Sequence, residues 1–151
     1  MGNTGLAPYT FTYKINNGTN QTLSTVGVNV SAIITQPTTT AGTFTYTLVS
    51  ISDANGCSQV QTGNATITIN ATPVVSIPSS SFCLGNTITL SPNSGGTWLS
   101  NNPTRATITN SGLVTGVSAG TVSFTFTAAG CSATTNLITV KPTPTSAPSP
   151  V

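Results

Sequence analysis

Histidine is absent from this chain of 151 residues, and Asp53 is its single acidic side chain. Hydrolytic triads need an imidazole or an equivalent base, glycosidases generally need two carboxylates, and zinc needs convergent His, Cys or acidic ligands. One Asp and no His meet none of these demands, so the sequence predicts no catalytic residues, no metal ligands and no other cofactor. Calcium would have only Asp53 plus backbone and amide oxygens to hold it. The basic residues Lys14, Arg105 and Lys141 are scattered along the chain and bring the formal charge to +2. No basic patch for nucleic acid or an anionic membrane surface exists. No apolar run approaches a membrane span, and the residues after Met1 lack a signal-peptide profile, so membrane insertion is not expected and any export signal would lie outside this chain. Phosphate-cradling loops are missing too, because Gly112, Gly116 and Gly120 sit between short strands rather than ahead of a helix.

Charged residues make up 3% of the chain, against about a quarter in an ordinary soluble protein. Such a chain would be disordered if it were also hydrophilic, but its mean hydropathy is +0.19. Threonine, valine and isoleucine favour half-buried pleated surfaces, and Gly, Asn, Pro and Ser supply turns. The expected fold class is therefore all-β.

The chain repeats itself. Gly56-Cys57-Ser58 and Gly130-Cys131-Ser132 each open a threonine-rich strand that ends in an apolar run and a proline hinge, ATITINATP and then TTNLITVKPTP. This periodicity implies a module of roughly seventy residues. Residues 1–71 read as one module, 72–141 as a second, and 142–151 as a proline-rich linker or the first strand of a third. The second copy carries a long opening stretch, TPVVSIPSSSFCLGNTITLSPNSGG, where the first has only MGNTGLA. The first module thus reads as lacking its opening strands.

Alternation places strands in the first module at Tyr9–Ile15, Gln21–Val26, Val28–Thr35, Gly42–Ser52 and Cys57–Ile69, with a hairpin turn at Asn16-Asn17-Gly18. Within Gly42–Ser52, Phe44, Tyr46 and Leu48 share a face, and the phase switch at Val49 and Ile51 predicts a bulge. The second module offers Val74–Ile77, Asn86–Leu90, Thr97–Ser100, Arg105–Thr109, Leu113-Val114, Thr121–Thr127 and Cys131–Val140. Short strands of this number and spacing predict a β-sandwich. Trp98, the only tryptophan, reads as the core anchor between two sheets, with sugar stacking as the alternative.

The stretch GGTWLSNNPTRATITNSGLVTGVSAGTVSFTFTA resembles the bacterial immunoglobulin-like group 2 domain. The likeness runs over Gly95 to Val140, from the tryptophan through Ser-Asn-Asn-Pro, Gly-Leu-Val-Thr-Gly and an Ala-Gly before the last hairpin. The first module, with APYTFTYKINNG and TFTYTLVSISDANGCSQ, is similar to companion repeats of very long cell-surface adhesins of gliding bacteria. The resemblance implies two tandem immunoglobulin-like β-sandwich modules in an extracellular, tandemly repeated surface protein, with no catalytic residue to transfer.

Cys83 precedes a core strand of the second module and Cys131 begins its last, a placement compatible with a disulfide; the alternative is two buried thiols in a reducing compartment. A bridge there would close a loop of about 47 residues and add roughly 3 to 4 kcal/mol. Cys57 occupies the position in the first module that Cys131 holds in the second, without a cysteine upstream of it. It is expected to be a free thiol or to pair with another chain. A nucleophilic role lacks an activating base, and Asp53 is expected to hold its own turn through an Asx-type hydrogen bond. Asn-x-Ser/Thr triplets at Asn17, Asn20, Asn29, Asn64 and Asn70 follow from composition.

A module without its opening strands exposes core residues and strand edges, which invite addition of a strand from elsewhere. The expected partners are neighbouring repeat modules or copies of itself, polymerised head to tail through the 142–151 segment, in an adhesin, stalk or filament outside the bacterial cell. The competing expectation is a module that binds surface polysaccharide through Trp98 or a threonine face.

Overall fold

A computed structural model describes residues 5–144, so most of the 142–151 segment lies outside the described residues. All regular structure in them is β, and the chain divides between Ile69 and Asn70 into two compact units. Each is a consequence of period-two alternation, but only one of them closes a core.

Unit 1 is one antiparallel sheet. It contains β1 (Thr10–Ile15), β2 (Gln21–Ser24), β3 (Gly42–Ser52), β4 (Ser58–Val60) and β5 (Asn64–Ile69), ordered β2-β1-β3-β4 with β5 also on β3. Asn16 and Asn17, at φ 49° and 59°, make the two-residue turn whose twist suits a hairpin, closed by the Gly18 amide donating to the Ile15 carbonyl at 2.9 Å. Cross-strand partners share a face. Phe11, Tyr13 and Ile15 stand opposite Ile51, Leu48 and Tyr46, and Phe44 stands opposite Ile67, so one face is apolar. The other face is hydroxylated, with Thr12 opposite Thr22, Thr45 opposite Thr66 and Thr43 opposite Thr68. The register between β1 and β3 shifts at Thr12/Tyr13 and skips Val49, which is the bulge that the phase switch predicts.

An apolar sheet face needs a second layer. Among the described residues of unit 1 the cover is irregular chain between β2 and β3. Ala32 and Ile34 line a cleft of about 120 Å³ with Phe11, Tyr13, Leu23 and Leu48, and the Tyr46 hydroxyl donates to Gln36 Oε1. Among the described residues no hydrophobic side chain of unit 1 is fully buried, and Val28 is 89% exposed.

Unit 2 contains β6 (Ser81–Cys83), β7 (Thr87–Thr89), β8 (Thr97–Ser100), β9 (Ala106–Ile108), β10 (Leu113–Gly116), β11 (Gly120–Val122), β12 (Phe124–Ala128), β13 (Cys131–Thr134) and β14 (Ile138–Lys141). They form the ladders β7-β10-β9, β11-β14-β6 and β13-β12-β8. The last two are joined, because β11/β12 and β13/β14 are halves of one long hairpin, carried past its interruption by the Thr135 amide donating to the Phe124 carbonyl at 2.9 Å. Between the layers lies the core of the molecule: Phe82, Leu90, Trp98, Ala106, Val114, Val122, Phe124, Phe126, Ile138 and Val140, all buried. The alternation of Val122, Phe124 and Phe126 puts these three large groups into it from consecutive inward positions.

Superposing the repeat on this architecture explains a correction. Gly42 (φ 154°) opens β3 opposite Ile69 as Gly120 (φ 144°) opens β11 opposite Val140, and Tyr13 faces Leu48 as Trp98 faces Phe126. By that alignment the segment 28–35 corresponds to the chain of β9 and β10. The sequence predicts a strand there, yet none forms. In unit 2, β10 is held by β7, which comes from the opening stretch; among the described residues of unit 1 no strand stands in the place of β7, and the segment 28–35 joins no ladder. The sequence reading also missed β6 and split neither long hairpin strand, and Val74–Ile77 reduces to an isolated bridge between Ser76 and Ser91.

Burial on this uneven pattern predicts uneven stability. Tyr9, Tyr13 and Tyr46 all belong to unit 1 and Trp98 to unit 2, so tyrosine near-UV circular dichroism and tryptophan emission report them separately. On heating, the tyrosine signal is expected to be lost first. Coincident transitions would contradict this reading of the two cores.

Candidate functional site

The three cysteines are free thiols. The bridge expected between Cys83 and Cys131 is corrected by the register. Cys83 lies opposite Lys141 in the parallel β6–β14 ladder, while Cys131 lies opposite Ala128 at the hairpin turn. Lys141 is ten positions beyond Cys131 along an extended path, roughly 30 Å at the rise of a β-strand. A disulfide tolerates less than about 7 Å between Cα atoms. The two sulfurs therefore sit towards opposite ends of the sandwich. Cys131 instead directs its Sγ at the Asn70 carbonyl, 3.7 Å away.

Cys57 is exposed and lines a cleft of about 420 Å³ with Gly5, Tyr9, Ile51, Asp53 and Gln59. This is where a thiol and the sole carboxylate come together, so it is the place to look for chemistry. Asp53 is already committed to the backbone. Its Oδ1 accepts from the amides of Asn55 (3.0 Å) and Cys57 (2.9 Å), and its Oδ2 accepts from the Leu6 amide at 3.3 Å. The Tyr9 hydroxyl donates to the Gly5 carbonyl. These contacts tie a turn and an incoming segment together, as the Asx reading predicts, and no imidazole or amine stands by to activate the thiol. Among the described residues no three His, Cys, Asp or Glu side chains converge.

Trp98 packs inside unit 2. It is 7% exposed, its ring centroid is 5.0 Å from that of Phe126, and its Nε1 donates to the Pro92 carbonyl at 2.8 Å. A buried indole with its one donor satisfied has no face left for a sugar. The outward threonines bond to one another, with Thr45 and Thr66 at 3.3 Å, Thr125 and Thr134 at 2.9 Å, and Thr127 and Ser132 at 2.9 Å.

Two features escaped the sequence reading. Arg105 Nη1 donates to the Ala119 carbonyl at 2.6 Å and to Ser118 Oγ at 3.2 Å, clamping the loop before β11. A lone arginine in a nearly uncharged chain is itself the signal for such a role. The second is the β6–β14 pair. It is parallel, it joins the first strand of unit 2 to the last, and it is extended by the Thr139 amide donating to the Ser80 carbonyl (2.9 Å) and the Leu84 amide to the Lys141 carbonyl (2.8 Å). Nothing local in SSSFC announces a strand.

Comparison with known proteins adds the following. The family described as bacterial Ig-like domain (group 2) matches residues 64–138. No curated protein matches the chain. Among solved structures, the crystal structure of the S-layer protein SbsC domains 4 and 5 is similar at 15% identity, covering 93% of this chain and 73% of that chain, with a TM-score of 0.29; a likeness of that degree carries no argument here. The family match begins at β5 and runs through β13 to the first residue of β14, so it takes in most of the two-layer all-β unit, which is similar to a bacterial Ig-like domain of group 2.

Proposed function

We propose that this chain is a non-enzymatic, load-bearing repeat of a bacterial surface adhesin, stalk or filament, working outside the cell and joined to neighbouring repeats or copies of itself. The observation that carries the reading is the parallel pairing of β6 with β14. Tension applied through the two ends of unit 2 pulls these strands past each other, so their hydrogen bonds resist together in shear rather than opening one at a time. A near absence of charge fits a repeated spacer that must not repel its neighbours. In support of it, Asp53 accepts from the backbone amides of its own turn, Trp98 is buried with its indole N–H donating to the Pro92 carbonyl, and Thr45–Thr66 and Thr125–Thr134 bond to each other.

Single-molecule stretching of the full chain tests this. Unit 2 is expected to yield in one discrete rupture that releases roughly 200 Å of contour, from about sixty residues at their extended length. Smooth extension with no resolvable barrier would remove the mechanical reading, and saturable binding to a glycan array would favour the competing one.

A further inference from the structure

We propose that Asn110 guards an open strand edge of unit 2: its side chain holds the outward backbone amide of Trp98, and without it β8 pairs with β8 of a second copy of this chain. Whatever load the chain carries, this contact keeps one copy from adding to the next sideways.

An edge strand presents unpaired N–H and C=O groups to any extended segment that meets it, and proteins usually block this with charged side chains, lysine above all, or with proline. The charged residues of this chain are Lys14, Asp53, Arg105 and Lys141, and none lies on the ladder β13-β12-β8. Among the described residues β8 ends that ladder, and β9 ends the ladder β7-β10-β9. Whatever guards these edges has to be neutral.

In an antiparallel pair, residues that exchange hydrogen bonds alternate with residues whose N–H and C=O point the other way. The Asn101 amide donates to the Ser123 carbonyl at 3.0 Å, so Leu99 and Thr97 face β12 as well, and the backbone groups of Trp98 and Ser100 point to the open side. There the Trp98 amide donates to Asn110 Oδ1 at 3.2 Å. On β9 the same alternation runs from the Val117 amide on the Arg105 carbonyl (2.9 Å) to the Thr109 amide on the Leu113 carbonyl (3.0 Å). It turns Ala106 and Ile108 outward, and Ser100 Oγ donates to the Ala106 carbonyl at 2.6 Å. Asn110 stands in the turn between β9 and β10, so it reaches β8 from the other ladder, and Ser100 of β8 reaches back to β9. Two side chains thus stitch two edges that share no ladder. A cleft of about 200 Å³ opens along this seam, lined by Trp98, Leu99, Ser100, Pro103, Thr107 and Ile108. It holds no ionisable group, and Leu99 is 67% exposed, so no charge turns a strand away once Asn110 lets go.

Unit 1 uses the same residue type in the same way. Where β1 ends at Ile15, Asn16 Oδ1 accepts from the Thr45 amide (2.8 Å) and Asn16 Nδ2 donates to the Thr43 carbonyl (3.2 Å). A side-chain amide offers a donor and an acceptor as a peptide group does, and it covers an edge without adding charge. The second copy is the fitting occupant of the β8 edge because that edge is self-complementary: two β8 strands set antiparallel across a two-fold axis exchange the bonds of Trp98 and Ser100.

Sedimentation velocity of the full chain under reducing conditions is the test, with Trp98 emission reporting that unit 2 stays folded. Asn110→Ala is expected to raise the self-association constant about tenfold or more, the worth of a backbone donor that finds a new acceptor. Adding Leu99→Lys to that variant is expected to bring the constant back to the native value, since like charges then meet across the paired edges. In the native chain the Trp98 amide is expected to exchange with deuterium as slowly as that of Leu99, although no strand covers it. An Asn110→Ala chain that associates no more than the native one overturns the proposal. Association that Leu99→Lys leaves unchanged overturns it as well, because it marks loss of fold rather than edge pairing. Rapid exchange at Trp98 in the native chain does the same, and that measurement stands even where Asn110→Ala does not fold.

Discussion

Phe124→Ala is expected to cost unit 2 about 3–5 kcal/mol, most of what holds a domain of this size together. Phe124 is 0% exposed, stands between β8 and β13, and is among the largest side chains in the only closed core among the described residues. Removing its ring opens a cavity that β-strands tied on both edges cannot collapse around. Urea unfolding followed by Trp98 emission is the direct measurement, with the tyrosine signal as an internal control. The Trp98 midpoint should fall sharply while the tyrosine midpoint stays in place. A loss below about 1 kcal/mol would mean that the two layers are not packed as described.

Gly112→Ala is expected to be nearly as damaging, at roughly 2–4 kcal/mol, although it adds only a methyl group. Gly112 has φ of +79°, and a Cβ there would stand 2.3 Å from the Leu90 carbonyl oxygen. The backbone at that point cannot retreat cheaply, because the Leu90 amide donates to the Gly112 carbonyl at 2.8 Å and the Gly112 amide donates to the Thr109 carbonyl at 2.9 Å. Gly130→Ala is the informative control. Its φ is +78° but a Cβ would meet nothing within 4 Å, so only the dihedral cost of about 1–2 kcal/mol remains. Equal losses at the two positions would show that the Leu90 contact is not what constrains the turn.

The parts of this structure legible in the sequence are those decided by local pattern. Val122, Phe124 and Phe126 announce an inward face by strict alternation, Asn16-Asn17 announce a turn because both tolerate positive φ, and the switch at Val49 announces a bulge because an extra residue must break the phase. The repeat of Gly-Cys-Ser marks the same hairpin turn in both units. What was not legible is decided at a distance. Whether 28–35 becomes a strand turns on pairing with a segment distant in sequence, as β10 pairs with β7 in unit 2. Whether Cys83 meets Cys131 depends on the direction in which β6 joins β14, and a parallel junction carries Cys83 away from the hairpin turn. The candidate site had the same character: Asp53 and Trp98 were readable from composition and rarity, whereas the bond from the Trp98 amide to Asn110 is visible only where the two ladders meet.

The β6–β14 junction also sets an order of events in time. Its two strands are about sixty positions apart, so the loop between them must be closed before their contacts form. The β12–β13 hairpin, whose ends are separated by a two-residue turn, can form early, but the strand that locks the unit is the last one made. A nascent chain halted before Ile138 would hold β6 with nothing to pair with and leave Phe82 uncovered. Completion of unit 2 therefore waits for Ile138–Lys141 to reach β6, and until it does that aromatic edge stays open to other chains.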